Sequence, residues 1–194
     1  HLRTWINEGT CRRDATMSVN VSPRQLHDPN FVAVVSEALM RAHVPADQLW
    51  LEVTEGVMIA QPEKALTALK KLCAIGVRVA IDDFGTGYSS LSLLQQFPIQ
   101  RLKIDKSFVS GVAEDMGARS LVRTIIAMGE SLGLDMVAEG VESVRQLQVL
   151  AELRCPKAQG FLISHPVPPD SMASTVAVLD QLGSWPRLRG PTPL

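Results

Sequence analysis

Five short apolar runs in this 194-residue chain close on oxygen-bearing side chains. Four end in acid or in lysine plus acid. Residues 49–55 carry Glu52 and Glu55, residues 77–85 carry Asp82 and Asp83, residues 102–105 carry Lys103 and Asp105, and residues 136–142 carry Glu139 and Glu142. The fifth, residues 17–22, carries the amide Asn20. Carboxylates clustered away from water cannot all stay ionised unless their pKa values rise or cations neutralise them. The set includes no Cys or His, and carboxylate and amide oxygens are hard donors, so magnesium or manganese suits it better than zinc. A single acid at a strand end is more often a helix cap or a solvated charge. Repetition across several runs is what points to a metal-centred site. Lys103 taken alone also reads as a structural ion-pair partner of Asp105 or Glu139. Gly85-Thr86-Gly87 gains meaning only from the Asp82-Asp83 pair before it.

Elements that could position these groups alternate along the chain. Strand character at 15–21, 49–54, 77–82, 101–104, 134–138 and 158–162 is separated by helical periodicity at 30–42, 62–75, 90–96, 117–132 and 144–153. A short helix opens the chain at 1–7, and a last one spans 169–182. Pro62 suits a first helical turn and Gly76 a helix terminus. Strands alternating with helices imply a parallel sheet with right-handed crossovers. The predicted fold is therefore α/β, a TIM-type (β/α) barrel with catalytic groups on its C-terminal face. Only about six of the usual eight strands are found, and a typical barrel runs to about 250 residues. The expectation is an N-terminally incomplete barrel over 1–182, its missing strands lying before His1, followed by a disordered Pro/Gly-rich tail at 183–194.

Strand alternation sharpens the site. It sets Arg101, Lys103 and Asp105 on one face against Leu102 and Ile104, Glu52 and Thr54 against Leu51 and Val53, and Ala80 and Asp82 against Val79 and Ile81. Ser18, Asn20 and Ser22 likewise oppose Val19 and Val21. With helices covering the aliphatic faces, the polar faces converge on one axis.

A formal charge of −1 offers no surplus to attract DNA, RNA or an anionic membrane. Cys11, Cys73 and Cys155 are too few and too scattered for a disulfide framework, which indicates a reducing, cytoplasmic setting. No apolar run approaches the roughly 20 residues of a spanning helix, although segments outside this chain could attach a longer protein to a membrane. The four histidines show no ligand spacing.

In combination the motifs are specific: Asn20-Val21-Ser22, Glu52-Val53-Thr54-Glu55, residues 82–90 from Asp82-Asp83-Phe84-Gly85 to Ser90, Lys103-Ile104-Asp105, Ala138-Glu139-Gly140-Val141-Glu142 and Gln159-Gly160-Phe161. A chain bearing them resembles the EAL-domain cyclic di-GMP phosphodiesterases over about residues 1–180. That resemblance implies hydrolysis of cyclic di-GMP to linear pGpG at two Mg2+ or Mn2+ ions. Asn20, Glu52 and Asp82 would be ligands, Asp82 bridging, and Asp83 would serve the second ion. Lys103 would hold the attacking water or neutralise developing charge, and Glu139 would act as general base or position the water. Gln159 would complete the substrate pocket, Glu55 would anchor the loop Phe84 to Ser90, and Asp105 and Glu142 would support the site from behind. The implied partners are cyclic di-GMP, a second copy of the domain, and upstream sensor or GGDEF-type domains.

The family's Glu-Ala-Leu segment, with its metal-binding glutamate, is absent from the chain. Because the other motifs are intact, truncation is the expected cause, with impaired activity for the fragment itself. The alternatives are a catalytically silent cyclic di-GMP receptor and a signalling interaction module.

Overall fold

A computed structural model of the chain describes residues 1–85 and 91–181. Six strands, β1 (Met17–Asn20), β2 (Leu49–Thr54), β3 (Arg78–Phe84), β4 (Arg101–Ile104), β5 (Asp135–Ala138) and β6 (Lys157–Ala158), form one sheet in chain order. Every neighbouring pair is parallel. The sheet is an incomplete TIM-type barrel with β1 and β6 at its edges.

Helix α1 (Leu2–Asn7) precedes the sheet; α2 (Pro23–Leu26), α3 (Phe31–Ala42), α4 (Glu55–Ala60), α5 (Pro62–Ala74), α6 (Leu91–Gln96), α7 (Lys106–Ser110), α8 (Met116–Ser131) and α9 (Val144–Glu152) connect its strands; and α10 (Met172–Gln181) follows it. The long ones bury a single stripe each. On α5 it is Ala65, Leu69 and Leu72, and on α8 it is Val122, Ile125, Ile126 and Gly129. These stripes share one core with the outward strand residues Leu51, Val53, Val79, Ile81, Leu102, Ile104 and Met136. Leu69→Ala in this layer would cost about 2–5 kcal/mol through lost burial and the cavity left behind. Because the aliphatic faces are spent outward, Glu52, Ala80 and Lys103 are left to fill the inner face.

The terminating role of Gly76 rests on its backbone. It adopts φ +95, donates its N–H to the Cys73 carbonyl at 2.9 Å, and lets the Val77 N–H reach the Leu72 carbonyl at 3.2 Å. This double bond pattern closes α5 and needs a left-handed residue at that point.

Several sequence expectations are corrected. The strand at 158–162 is only Lys157–Ala158, and the chain then turns, Ile163 N–H to Gly160 O at 3.0 Å. Gly160 is pressed on the Val141 backbone so tightly that a Cβ would lie 2.2 Å from the Val141 oxygen, which diverts the chain from the sheet. β3 runs past Asp82 to Phe84, and β1 starts at Met17 rather than 15. Helices α2, α4 and α7 escape periodicity because they are single turns or little more, springing directly from strand ends. Residues 169–171 form a 3-10 turn leading into α10. The segment 86–90 and the tail 183–194 lie outside the described residues.

Candidate active site

At the C-terminal ends of β2 to β5, one ammonium meets three carboxylates. Lys103 Nζ lies 2.5 Å from Glu52 Oε2, 2.7 Å from Glu139 Oε1 and 2.9 Å from Asp82 Oδ1. The first contact is an aligned hydrogen bond, whereas Asp82 Oδ1 is a charge contact off the hydrogen-bond axis. Each group arrives from a different strand: Glu52 from β2, Asp82 from β3, Lys103 from β4, and Glu139 just beyond β5, where its N–H still bonds to Ile104 O at 3.1 Å. Lys103 is only 5% exposed.

A fourth carboxylate joins through a break in β3. From Ile81 to Phe84 the strand takes three steps against two from Leu102 to Ile104, and Asp83 sits at φ +54. In a regular strand Asp82 and Asp83 would point to opposite faces. The extra residue and the left-handed turn bring both to the same side, as bulges beside active sites do. Carboxylate oxygens of Asp82, Asp83 and Glu139 lie within 4.8 Å of one another. Asp105, which caps α7 by accepting the Ser107 N–H at 3.0 Å, lies beside Asp83, close enough for its charge to act on that carboxyl.

Titration behaviour follows from this crowding. Burial pushes Glu139 up to about 7, with Lys103 opposing and the negative Asp82 and Glu52 adding to the rise. Asp83 is raised by burial and by the charges of Asp82 and Asp105. Burial also raises Asp105, but hydrogen bonds from Ser107 and Lys106 outweigh it and hold that carboxyl below its ordinary value. For Lys103, burial disfavours the charge, yet contacts with Asp82, Glu139 and Glu52 prevail and raise its pKa, so it is charged at any physiological pH. Four carboxylates against one ammonium leave an excess of negative charge on hard oxygen donors, a set that fits Mg2+ or Mn2+.

Other sequence-predicted residues occupy the rim. Asn20 is the register partner of Glu52 but is exposed on the edge strand. Glu55, 2% exposed, accepts the Gly85 N–H at 3.2 Å, one residue before the undescribed segment. Gln159 is exposed, its backbone tied to Ala138 O and Val141 N. Glu142 is exposed too, its N–H donated to Gln146 Oε1 at the start of α9. Sequence reasoning missed Trp50 and Asp135, which lie on the inner face beneath the carboxylates. Their two-residue offset from Glu52 and Val137 was the available signal.

Comparison with known proteins agrees with this architecture. The profile described as EAL domain matches residues 1–166. The bifunctional diguanylate cyclase/cyclic di-GMP phosphodiesterase MucR of Pseudomonas aeruginosa is 39% identical over 176 residues, covering 91% of this chain and 25% of that protein. The solved structure of the MucR phosphodiesterase with cyclic di-GMP superposes with a TM-score of 0.83 at 39% identity, covering 88% of this chain and 68% of that one. The EAL domain of Mycobacterium smegmatis DcpA gives 0.85 at 41% identity, with 91% and 78% covered. A manganese and cyclic di-GMP complex of Klebsiella pneumoniae BlrP1 gives 0.77 at 31% identity, with 85% and 42% covered. The chain spans between 21% and 27% of the length of the curated relatives it matches. With its strand order, its inward carboxylates and residues 1–166 all in agreement, the chain belongs to the EAL domain family.

Proposed function

We propose that this domain hydrolyses cyclic di-GMP to linear pGpG with the help of Mg2+ or Mn2+. The observation that carries the reading is the buried ammonium of Lys103 ringed by Glu52, Asp82 and Glu139, with Asp83 turned in beside them. Asn20, Glu52 and Asp82 would hold one cation, and Asp82 with Asp83 a second. Bound there, the cations would activate water and offset charge on the phosphoryl oxygens.

The remaining work falls to side chains. Glu139, poised at about 7, accepts a proton from the attacking water. Lys103 keeps its proton and supplies a fixed positive charge toward the developing phosphoryl charge. Glu55 tethers the chain at Gly85, and Gln159 completes the substrate pocket from beside β5. Asp105 lies beside Asp83, and Glu142 supports the turn into α9. Cyclic di-GMP is favoured as substrate by the cyclic di-GMP complexes of MucR and BlrP1. With β1 and β6 at the edges of the sheet among the described residues, we expect the chain alone to be less active than a protein in which those edges are covered. No helix among the described residues is long and apolar enough to cross a membrane, and a cytoplasmic domain that pairs with a second copy is part of the same proposal.

The test is hydrolysis of cyclic di-GMP by the protein that carries this chain, with Mn2+ or Mg2+ and with EDTA. Cation-dependent release of pGpG is expected. Binding without turnover would refute the phosphodiesterase reading in favour of a receptor.

A further inference from the structure

Beneath the carboxylates lies a second inward layer whose chemistry the proposed reaction does not use. Trp50 precedes Glu52 by two positions on β2, and Arg101 precedes Lys103 by two on β4, so each shares a face with the site residue above it. The Arg101 guanidinium carbon lies 3.7 Å from the Trp50 ring centroid. Its Nε and Nη2 reach Asp135 Oδ2 at 2.9 and 2.8 Å, and Lys157 Nζ reaches the same oxygen at 2.6 Å. Trp50 is 3% exposed. The Trp50–Arg101 contact therefore repeats, one layer down, the diagonal from β2 to β4 that Glu52 and Lys103 span. Between the two strands stands Ala80, register partner of Glu52 on one side and of Arg101 on the other, whose methyl leaves room for long side chains to cross.

We propose that Arg101 is a positioning residue: stacked on Trp50 and clamped by Asp135, it sets the height of β4 against β2 and β5 and so holds Lys103 Nζ among its three carboxylates. A planar guanidinium can stack and bond at the same time, which an ammonium cannot reproduce. Lys103 sits about 7 Å further along the same strand, two residues of strand rise. Its contacts leave little slack, and a misplacement on the order of 1 Å can cost about a hundredfold in rate.

The activity arm of the test rests on the phosphodiesterase reading, whereas the metal-binding arm does not. In the protein that carries this chain, Arg101→Met is expected to lower kcat at least about tenfold with KM within about twofold, and Arg101→Lys to restore only part of the loss. The Mn2+ dissociation constant should change at least about threefold in Arg101→Met, because the ammonium no longer sits squarely on the ligand oxygens. Both effects should vanish when Lys103→Met is already present, since Arg101 acts through that residue. A fall in melting temperature alone, or the same Arg101→Met effect with and without Lys103, would overturn the proposal. If the parent protein shows no hydrolysis, the phosphodiesterase reading fails and the Mn2+ coupling still decides this one. If Arg101→Met does not fold, Arg101→Lys and Trp50→Leu are judged by the same coupling to Lys103.

Discussion

Glu139→Gln should stabilise the cation-free domain at alkaline pH while destroying its activity. In the folded chain burial holds Glu139 at about 7 against an ordinary 4.5. The folded state therefore binds this proton more tightly than the unfolded state. Stability from the raised value is fully present below pH 4.5 and is lost as pH rises through 7. Well above pH 7 an ionised Glu139 costs the fold about 3 kcal/mol, at 1.36 kcal/mol per pKa unit. The side chain is 16% exposed, so solvent relieves little of this cost. Glutamine is neutral at every pH and nearly the same shape. Urea denaturation in EDTA should show the variant within about 1 kcal/mol of the parent chain near pH 5 and about 2–3 kcal/mol more stable at pH 8.5. A stability difference that does not change between those two pH values would refute the desolvation argument. So would a variant less stable than the parent at the higher pH.

Asp82→Asn, nearly isosteric, should abolish cyclic di-GMP hydrolysis and keep the far-ultraviolet circular dichroism of the fold; substantial residual turnover with bound metal would remove Asp82 from the bridging role. Lys103→Met should cost about 3–5 kcal/mol in EDTA, because three carboxylates lose their shared counterion, and added Mn2+ should recover part of it, as read by thermal melting. Asp83→Gly should leave stability within about 1 kcal/mol, since glycine accepts the left-handed backbone and removes a charge beside Asp82 and Asp105, yet should weaken Mn2+ binding measured by titration calorimetry.

Much of this protein is legible from local pattern. Alternation by two separates Leu102 and Ile104 from Lys103 whatever the strand later packs against, because successive side chains in a strand must point to opposite faces. The apolar stripe of α5 and the glycine that ends it are equally local, set by helical period and by a backbone that only glycine adopts readily. The oxygen-rich character of the site is likewise a matter of residue type, and donors of that kind suit a hard cation.

Other features exist only once distant segments meet. Asp83 reaches the site because β3 carries one residue more than β4 opposite it, and a register shift belongs to a pair of strands rather than to one. Alternation placed Asp105 on the face of Lys103, but the direct start of α7 makes it a helix cap as well as a neighbour of Asp83. The strand expected at 158–162 yields to the close approach of Gly160 to Val141, a contact between segments that no period records. The value of about 7 at Glu139 is the sum of lost water, one ammonium and two carboxylates delivered by three other strands. Arg101 becomes more than a polar residue two places before a lysine only when the sheet sets it over Trp50 and against Asp135. Side-chain direction and residue chemistry are properties of a short stretch of chain, whereas desolvation, register and contact depend on what the rest of the fold brings alongside.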